Sequence, residues 1–224
     1  MLYDLDETAA TPSASGRPGQ PSETHPGDTS HWRLPYSGQT HYDVEISGLR
    51  RRLPVVRVNQ NLWIASFVML GDVQLVNVVA GALAARLAGL DFAYLVGPEA
   101  KVVPLLQATA TLLGHRRYVV CRKSVKSYMQ DPVVVEVQSI TTAGKQRLVL
   151  DGPDAQLVRD QKVIILDDVV STGGSLTAVE ALLAKAGARI VARAAALQEG
   201  DFYQDSDRPL ITLGRLPVFV KSTP

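Results

Sequence analysis

The chain has 224 residues, 46% of them hydrophobic and 20% charged, which is typical of one globular domain with a modest appendage. Its formal net charge of +1, from 23 basic and 22 acidic residues, argues against a nucleic acid as the main partner. A single cysteine, Cys121, excludes an internal disulfide and fits a cytoplasmic location. No apolar run approaches the ~20 residues of a membrane span, so no membrane partner is expected.

Residues 1–30 are predicted to be a disordered N-terminal tail, because they are rich in Thr, Pro, Ser and Gly and show no apolar periodicity. The domain is expected at 31–224, where apolar strands alternate with helices. Strands are predicted at Leu53–Val58, Leu62–Met69, Phe92–Val96, Tyr118–Cys121, Val163–Leu166 and Ile190–Leu197. Helices are predicted from the N-cap Asp72 to Leu87, at Pro104–Leu113 and at Leu176–Lys185, and a β-hairpin at Val133–Ile140 and Gln146–Leu150. This alternation predicts a parallel sheet with helices on both faces.

The most informative stretch is Val163–Ser175, in which an apolar strand is followed by Asp167-Asp168 and by a Ser-Thr-Gly-Gly-Ser loop that opens a helix. Glycines let backbone N–H groups approach an anion closely, and a helix N-terminus favours negative charge. The two carboxylates are acceptors suited to sugar hydroxyls or to a metal ion. The stretch therefore predicts a phosphorylated-sugar site, and the alternative is a tight turn beside a solvated strand end.

This stretch resembles the phosphoribosyl pyrophosphate (PRPP) signature of type I phosphoribosyltransferases. The resemblance implies an α/β fold with a mostly parallel sheet, a small hood from about 34–69 and 198–220, and a flexible β-hairpin loop. It implies that Asp167 and Asp168 bind the ribose hydroxyls. The 5-phosphate would be held by Ser171, Thr172, Gly173, Gly174 and Ser175. Mg²⁺ is expected to arrive with PRPP, near the two aspartates and without direct protein ligands.

Two other loops at strand ends resemble pyrophosphate-binding positions of the same family, although each alone also fits an ordinary solvated loop. They are Gly97-Pro98-Glu99-Ala100-Lys101 and Arg122-Lys123. By the resemblance, pyrophosphate is contacted by Glu99, Ala100, Lys101, Arg122 and Lys123. The catalytic group is expected to comprise Glu99, Lys123, Lys126 and Tyr128, the last two in a loop at 124–130 that closes over the substrates.

The implied reaction is transfer of the 5-phosphoribosyl group from PRPP to a nucleobase, with release of pyrophosphate and formation of a nucleoside monophosphate. A purine of the adenine or xanthine type is expected, in purine salvage, with a homodimer as the assembly. Ser171 stands where hypoxanthine–guanine enzymes of the family place an Asp, which puts that base class in doubt. The base is expected to contact Val169, Glu199 and Phe202, whereas Trp63 and Phe67 are expected in the core. A regulatory domain that binds PRPP or a nucleotide without turnover is the alternative.

Overall fold

A computed structural model of the protein describes residues 32–138, 145–203 and 210–221, so the predicted tail at 1–30 lies outside the described residues. The strands are β1 (Arg33–Tyr36), β2 (His41–Ile46), β3 (Leu49–Arg57), β4 (Leu62–Ala65), β5 (Tyr94–Pro98), β6 (Val119–Cys121), β7 (Val133–Gln138), β8 (Lys145–Leu150), β9 (Lys162–Val170), β10 (Arg189–Glu199), β11 (Leu210–Thr212), β12 (Arg215–Leu216) and β13 (Val218–Lys221). The helices are α1 (Val73–Leu87), α2 (Val103–Leu112), α3 (Gly152–Val158) and α4 (Gly174–Ala186).

A parallel sheet forms the centre of the molecule, in the order β11-β10-β9-β5-β6, with β12 also paired to β10. Each of these pairings is parallel, as in Leu95 beside Ile164 and Ala194 beside Leu166. The middle strands are rich in buried Val, Ile and Leu, because both faces of a parallel sheet are covered. The predicted α/β fold is confirmed, and the carboxyl ends of β5, β6, β9 and β10 meet at one edge.

Helices cover the two faces of this sheet. α1 and α2 pack on one face together with the second sheet, and α3, α4 and the hairpin β7–β8 pack on the other. The predicted start of α1 is confirmed, because the Asp72 side chain accepts a hydrogen bond of 2.9 Å from the Leu75 N–H. The hairpin is antiparallel as predicted, and its turn at 139–144 lies outside the described residues.

The hood is a five-stranded sheet in the order β1-β13-β4-β3-β2. The hood brings together residues 33–65 and 218–221. The described residues at 210–216 were expected in the hood, but they belong to the central sheet, where β11 and β12 pair with β10. A buried ion pair fastens the hood to α1: Arg51 Nε lies 2.7 Å from Asp72 Oδ2, and Arg51 Nη2 lies 3.1 Å from Asp72 Oδ1.

Several element boundaries differ from the prediction. β9 runs four residues beyond Leu166, so Asp167 and Asp168 lie inside a strand and are buried, with exposures of 6% and 9%. The alternative of a solvated strand end does not hold, because β10 continues beside β9 as far as Val170. β4 ends at Ala65, before the predicted Met69. Among the described residues, no helix is both long and apolar enough to cross a membrane.

Candidate active site

A cavity of about 610 Å³ lies between the hood and the carboxyl ends of the central strands. Its walls come from the hood, from the loops after β5 and β6, from hairpin strand β8, and from β9, β10 and the start of α4. The lining residues are Ile64, Ser66, Phe67, Pro98, Glu99, Ala100, Lys101, Val102, Lys123, Arg147, Leu148, Asp167, Asp168, Val169, Ser175 and Glu199. Nine of the predicted site residues lie along it: Glu99, Ala100, Lys101, Lys123, Asp167, Asp168, Val169, Ser175 and Glu199.

The carboxylates of Asp167 and Asp168 form the acidic wall of this cavity. Burial and the adjacent Asp168 charge raise the pKa of Asp167 well above its usual value, while the Lys101 charge acts in the opposite direction. Each aspartate also accepts a hydrogen bond from the next backbone N–H, Asp168 N at 2.9 Å and Val169 N at 3.0 Å. Two neighbouring buried carboxylates are stabilised by a ligand that supplies hydroxyl donors or positive charge.

The loop between β9 and α4 turns at Gly173, whose φ of +80° places it in the left-handed region. The Tyr203 ring packs directly against Gly173, since a Cβ built there would lie 2.5 Å from Tyr203 Cδ2. α4 then begins at Gly174, and Ser175 in its first turn lines the cavity. This arrangement suits an anion at the helix N-terminus.

The loop after β5 is joined to the loop after β6 through Glu99. Its Oε1 accepts a hydrogen bond of 2.7 Å from the Lys123 backbone N–H, and its Oε2 lies 3.1 Å from Arg122 Nη1. The Glu99–Ala100 peptide bond is cis. Glu99 therefore holds the two predicted pyrophosphate loops together, and the Lys101 and Lys123 side chains line the cavity beside it.

Three residues predicted for the pyrophosphate or catalytic group have other partners in this structure. Arg122 binds Glu99 and also donates a 3.1 Å hydrogen bond from Nη2 to the hydroxyl of Tyr128, which is 62% exposed. The Lys126 ammonium donates to Ser124 Oγ at 2.7 Å. The end of this loop is fixed to α3, because the Gln130 N–H donates to Asp151 Oδ1 at 2.9 Å.

The predicted base contacts separate in space. Val169 and Glu199 line the cavity, and Glu199 is only 7% exposed. Phe202 lies instead along a second cavity of about 300 Å³, together with Thr172 and Tyr203, with the Arg33 guanidinium 5.1 Å from its ring centroid. The chain turns sharply after β10 at Gly200, whose φ is +63°, and this turn directs Phe202 away from the larger cavity.

Seven lining residues were not predicted as site residues: Ile64, Ser66, Phe67, Pro98, Val102, Arg147 and Leu148. Ile64, Ser66 and Phe67 come from the hood, and Phe67 is both 6% exposed and part of the cavity wall, whereas Trp63 stacks on Tyr36 at 4.0 Å. Arg147 stands opposite Glu136 in the hairpin, and its Nη2 lies 2.7 Å from Glu136 Oε1. The alternation of polar and apolar residues in β8 does not indicate that Arg147 lines a site. Its position on the cavity depends on how the hairpin packs against the rest of the domain.

The carboxylates of Asp167 and Asp168 fit a magnesium ion at the wall of the cavity. Among residues 32–138, 145–203 and 210–221, no group of three or more His, Cys, Asp or Glu side chains could hold a metal ion. Asp167 and Asp168 supply carboxylate oxygens, the ligand type that Mg²⁺ prefers, and their mutual repulsion favours a nearby cation.

Comparison with known proteins identifies a family, and adenine and hypoxanthine/guanine phosphoribosyltransferases are among the relatives. A family profile described as "Phosphoribosyl transferase domain" matches residues 74–215. The chain is 32% identical over 127 residues to an adenine phosphoribosyltransferase of Nocardia farcinica, covering 54% of this chain and 66% of that protein. It is 36% identical over 107 residues to a hypoxanthine/guanine phosphoribosyltransferase of Methanocaldococcus vulcanius, covering 48% of this chain and 54% of that protein. The match thus spans about half to two thirds of the length of these relatives.

Solved structures share the fold. An adenine phosphoribosyltransferase from Thermoanaerobacter pseudethanolicus superposes with a TM-score of 0.57 and 23% identity, covering 66% of this chain and 84% of that one. Another, from Rhodothermus marinus, gives a TM-score of 0.56 and 20% identity over 84% of this chain and 98% of that one. At these identities the likeness concerns the fold, and the matched range 74–215 contains most of the cavity wall.

Proposed function

Because the chain belongs to the phosphoribosyl transferase domain family, we propose that it transfers the 5-phosphoribosyl group of PRPP to a purine base in nucleotide salvage. The observation that carries the proposal is the pair of buried carboxylates, Asp167 and Asp168, beside a loop that opens a helix at the wall of the cavity. Acceptors for sugar hydroxyls and a helix N-terminus for a phosphate then lie next to each other, as a phosphorylated ribose requires.

In this proposal Asp167 and Asp168 accept hydrogen bonds from the two ribose hydroxyls. The 5-phosphate lies against the backbone N–H groups at 172–175 and the hydroxyls of Thr172 and Ser175. Gly173 allows the loop to turn with positive φ, and α4 contributes its N-terminal dipole. The ribose is thereby held with its C1 atom facing the centre of the cavity, so positioning supplies much of the rate enhancement.

The diphosphate group would lie against the loop at 97–101 and the start of the loop after β6. Lys101 and Lys123 line the cavity there and neutralise the charge that develops as the bond from C1 to the diphosphate oxygen breaks. Glu99 acts as a positioning residue, because it fixes the Lys123 backbone and Arg122. Mg²⁺ carried by PRPP would be held near Asp167 and Asp168, where it offsets negative charge.

The base would lie between the hood and the end of β9. Ile64, Phe67 and Val169 offer apolar surface to a flat ring, and Ser66 and Glu199 offer polar atoms to its edge. A ring nitrogen of the base forms a bond to C1 of the ribose as the bond from C1 to the diphosphate oxygen breaks. The displaced diphosphate leaves as pyrophosphate, and the base loses its ring N–H proton to solvent. The products are a nucleoside monophosphate and pyrophosphate.

Pyrophosphate release from Mg-PRPP, measured with and without each of a panel of purines, tests the proposal. We expect release that depends on a purine, and loss of release in Asp167→Asn/Asp168→Asn at an unchanged melting temperature. PRPP binding without purine-dependent release would favour the regulatory alternative. Absence of PRPP binding would contradict both the proposed transfer reaction and the regulatory alternative. The homodimer, the cytoplasmic location and the closing loop at 124–130 stay predictions.

A further inference from the structure

Arg147 lies on hairpin strand β8 and lines the cavity on the side of the loop after β6. Two backbone hydrogen bonds join this strand to that loop. The Arg122 N–H donates to the Val149 carbonyl at 2.8 Å, and the Val149 N–H donates to the Arg122 carbonyl at 2.7 Å. Because Arg147 is two residues from Val149 along β8, it is held close to the loop that carries Lys123.

The guanidinium of Arg122, the neighbour of Lys123, is bound to other protein groups. Its Nη1 lies 3.1 Å from Glu99 Oε2, and its Nη2 donates to the Tyr128 hydroxyl at 3.1 Å. Lys123 lines the described wall of the cavity, and Arg122 does not. The pair at 122–123 therefore offers one cation to the cavity, and the arginine along its wall is Arg147.

The ion pair that Arg147 makes within the hairpin is exposed. Its Nη2 lies 2.7 Å from Oε1 of Glu136, the residue directly opposite in the strand register, and the two side chains are 53% and 43% exposed. Water screens such pairs, so they contribute little to stability. A guanidinium is a planar fork of N–H donors that matches two phosphate oxygens at once, so a phosphate group competes well with Glu136 for Arg147.

Resting on the proposed phosphoribosyl transfer, we propose that Arg147 binds the diphosphate group of PRPP and exchanges the Glu136 carboxylate for it. Lys101 from the loop after β5, Lys123 from the loop after β6 and Arg147 from the hairpin then supply positive charge to one anion.

The acidic groups of the cavity explain why a third cation matters. The carboxylate side chains of Glu99, Asp167, Asp168 and Glu199 line the same cavity. A diphosphate is repelled by carboxylates, so its binding depends on the cations that face it. The guanidinium also stabilises the negative charge that develops on the diphosphate as its bond to C1 breaks.

The test measures three ligands by calorimetry in the presence of Mg²⁺: PRPP, inorganic pyrophosphate and ribose 5-phosphate. In Arg147→Ala we expect the affinity for PRPP and for pyrophosphate to fall at least about 10-fold, because a charge-assisted hydrogen bond is lost. Ribose 5-phosphate lacks the diphosphate and should bind as it does to the wild type, which also shows that the variant is folded. Arg147→Lys keeps the charge without the fork and should restore part of the affinity.

Glu136→Gln separates diphosphate binding from stabilisation of the hairpin. It removes the carboxylate that competes for Arg147, so this variant should bind PRPP at least as tightly as the wild type. Arg50→Ala is the matched control, because Arg50 stands opposite Glu45 in the hood hairpin β2–β3, pairs with it at 3.1 Å and lies away from the described cavity wall. It should leave the affinity for all three ligands unchanged.

The outcomes distinguish this assignment from the proposed reaction. Unchanged affinity of Arg147→Ala for PRPP and pyrophosphate overturns the role of Arg147 and leaves the transfer reaction to the purine-dependent release assay. Equal weakening of ribose 5-phosphate binding, or weaker PRPP binding in Glu136→Gln, also overturns it, because the pair is then structural. Affinity that depends on Arg147 without purine-dependent pyrophosphate release supports the diphosphate contact and overturns the transfer reaction. A wild type that binds neither PRPP nor pyrophosphate overturns both.

Discussion

Gly173→Ala is expected to damage both the stability of the protein and its phosphate site. An alanine at φ +80° costs about 1–2 kcal/mol relative to glycine, because its Cβ crowds the backbone in the left-handed region. The new Cβ would also lie 2.5 Å from Tyr203 Cδ2 and 2.9 Å from Tyr203 Cε2, so the ring has to move. Overpacking of this kind typically costs ~1–3 kcal/mol. The two effects together lower the free energy of unfolding by about 2–5 kcal/mol.

Thermal and urea melts measure this change, with Gly174→Ala as the matched control. For a chain of this size we expect Gly173→Ala to lower the melting temperature by at least roughly 5 °C. A Cβ at Gly174 meets only Thr172 Oγ1, at 3.7 Å, and no positive φ is required there, so Gly174→Ala should remain within ~1 kcal/mol of the wild type. Titration with ribose 5-phosphate, below the melting range, should show weaker binding in Gly173→Ala.

The contribution of the ring is isolated by a double-mutant cycle with Tyr203→Ala. Removing the ring relieves the overlap but not the backbone strain, so the double variant should be less destabilised than the sum of the single changes by about 1–3 kcal/mol. Strict additivity, or a Gly173→Ala protein as stable as the wild type, would refute the reasoning. From the sequence we would expect a side chain at Gly173 to weaken binding far more than it lowers stability, and the packing of Tyr203 on Gly173 makes it a structural position as well.

Three further changes test other parts of the structure. Asp167→Asn should abolish PRPP binding measured by calorimetry without lowering the melting temperature, because it removes one of two repelling buried charges; a clear loss of stability would contradict this. Asp72→Asn should flatten the fall in melting temperature between about pH 5 and 3. The hydrogen bond from Arg51 lowers the pKa of Asp72 in the folded protein. The Asp72 carboxylate therefore stabilises the fold above its unfolded pKa of ~4, and this stabilisation is lost as the pH falls through its pKa in the folded protein. An equal acid dependence in both proteins would show that the Arg51 pair contributes nothing. Burial raises the pKa of Cys121 to about 12, so iodoacetamide at pH 8 should leave the folded protein unmodified and label it only in urea.

The family, the α/β fold and the core elements follow from local sequence signals. Helix α1 has a clear apolar period and an Asp72 cap, and the stretch from Val163 to Ser175 combines a buried strand with glycines at a helix start. Such signals depend on neighbouring residues, so they can be read without knowing the rest of the fold.

The elements that the sequence did not reveal depend on distant partners. β1 is four residues long and pairs with β13, at the other end of the chain, so its partner cannot be inferred from the residues near it. α3 has seven residues and begins with Gly152-Pro153, which indicates a turn unless its contact with the loop at 130–131 is known. Asp167 and Asp168 are buried because β10 continues beside them.

The residues of the site also divide into those that the sequence predicted and those that distant contacts place on the cavity. Glu99, Lys101 and Val169 were predicted with the help of the family resemblance, and they line the cavity because parallel strands bring their carboxyl ends to one edge. Arg147 and Ser66 were missed because the docking of the hairpin and the hood, and not their local pattern, places them on the cavity. The turn at Gly200 separates Glu199 from Phe202, two predicted base contacts only three residues apart.

The measurement that tests the central claim most directly is product stoichiometry in a reaction of the wild type with Mg-PRPP and a purine, followed by mass spectrometry and a pyrophosphate assay. The account predicts one nucleoside monophosphate and one pyrophosphate for each PRPP consumed, and neither product from Asp167→Asn/Asp168→Asn. Pyrophosphate without nucleotide would indicate hydrolysis of PRPP, and unchanged PRPP in the presence of every purine would contradict the assignment of this cavity as a phosphoribosyl transfer site.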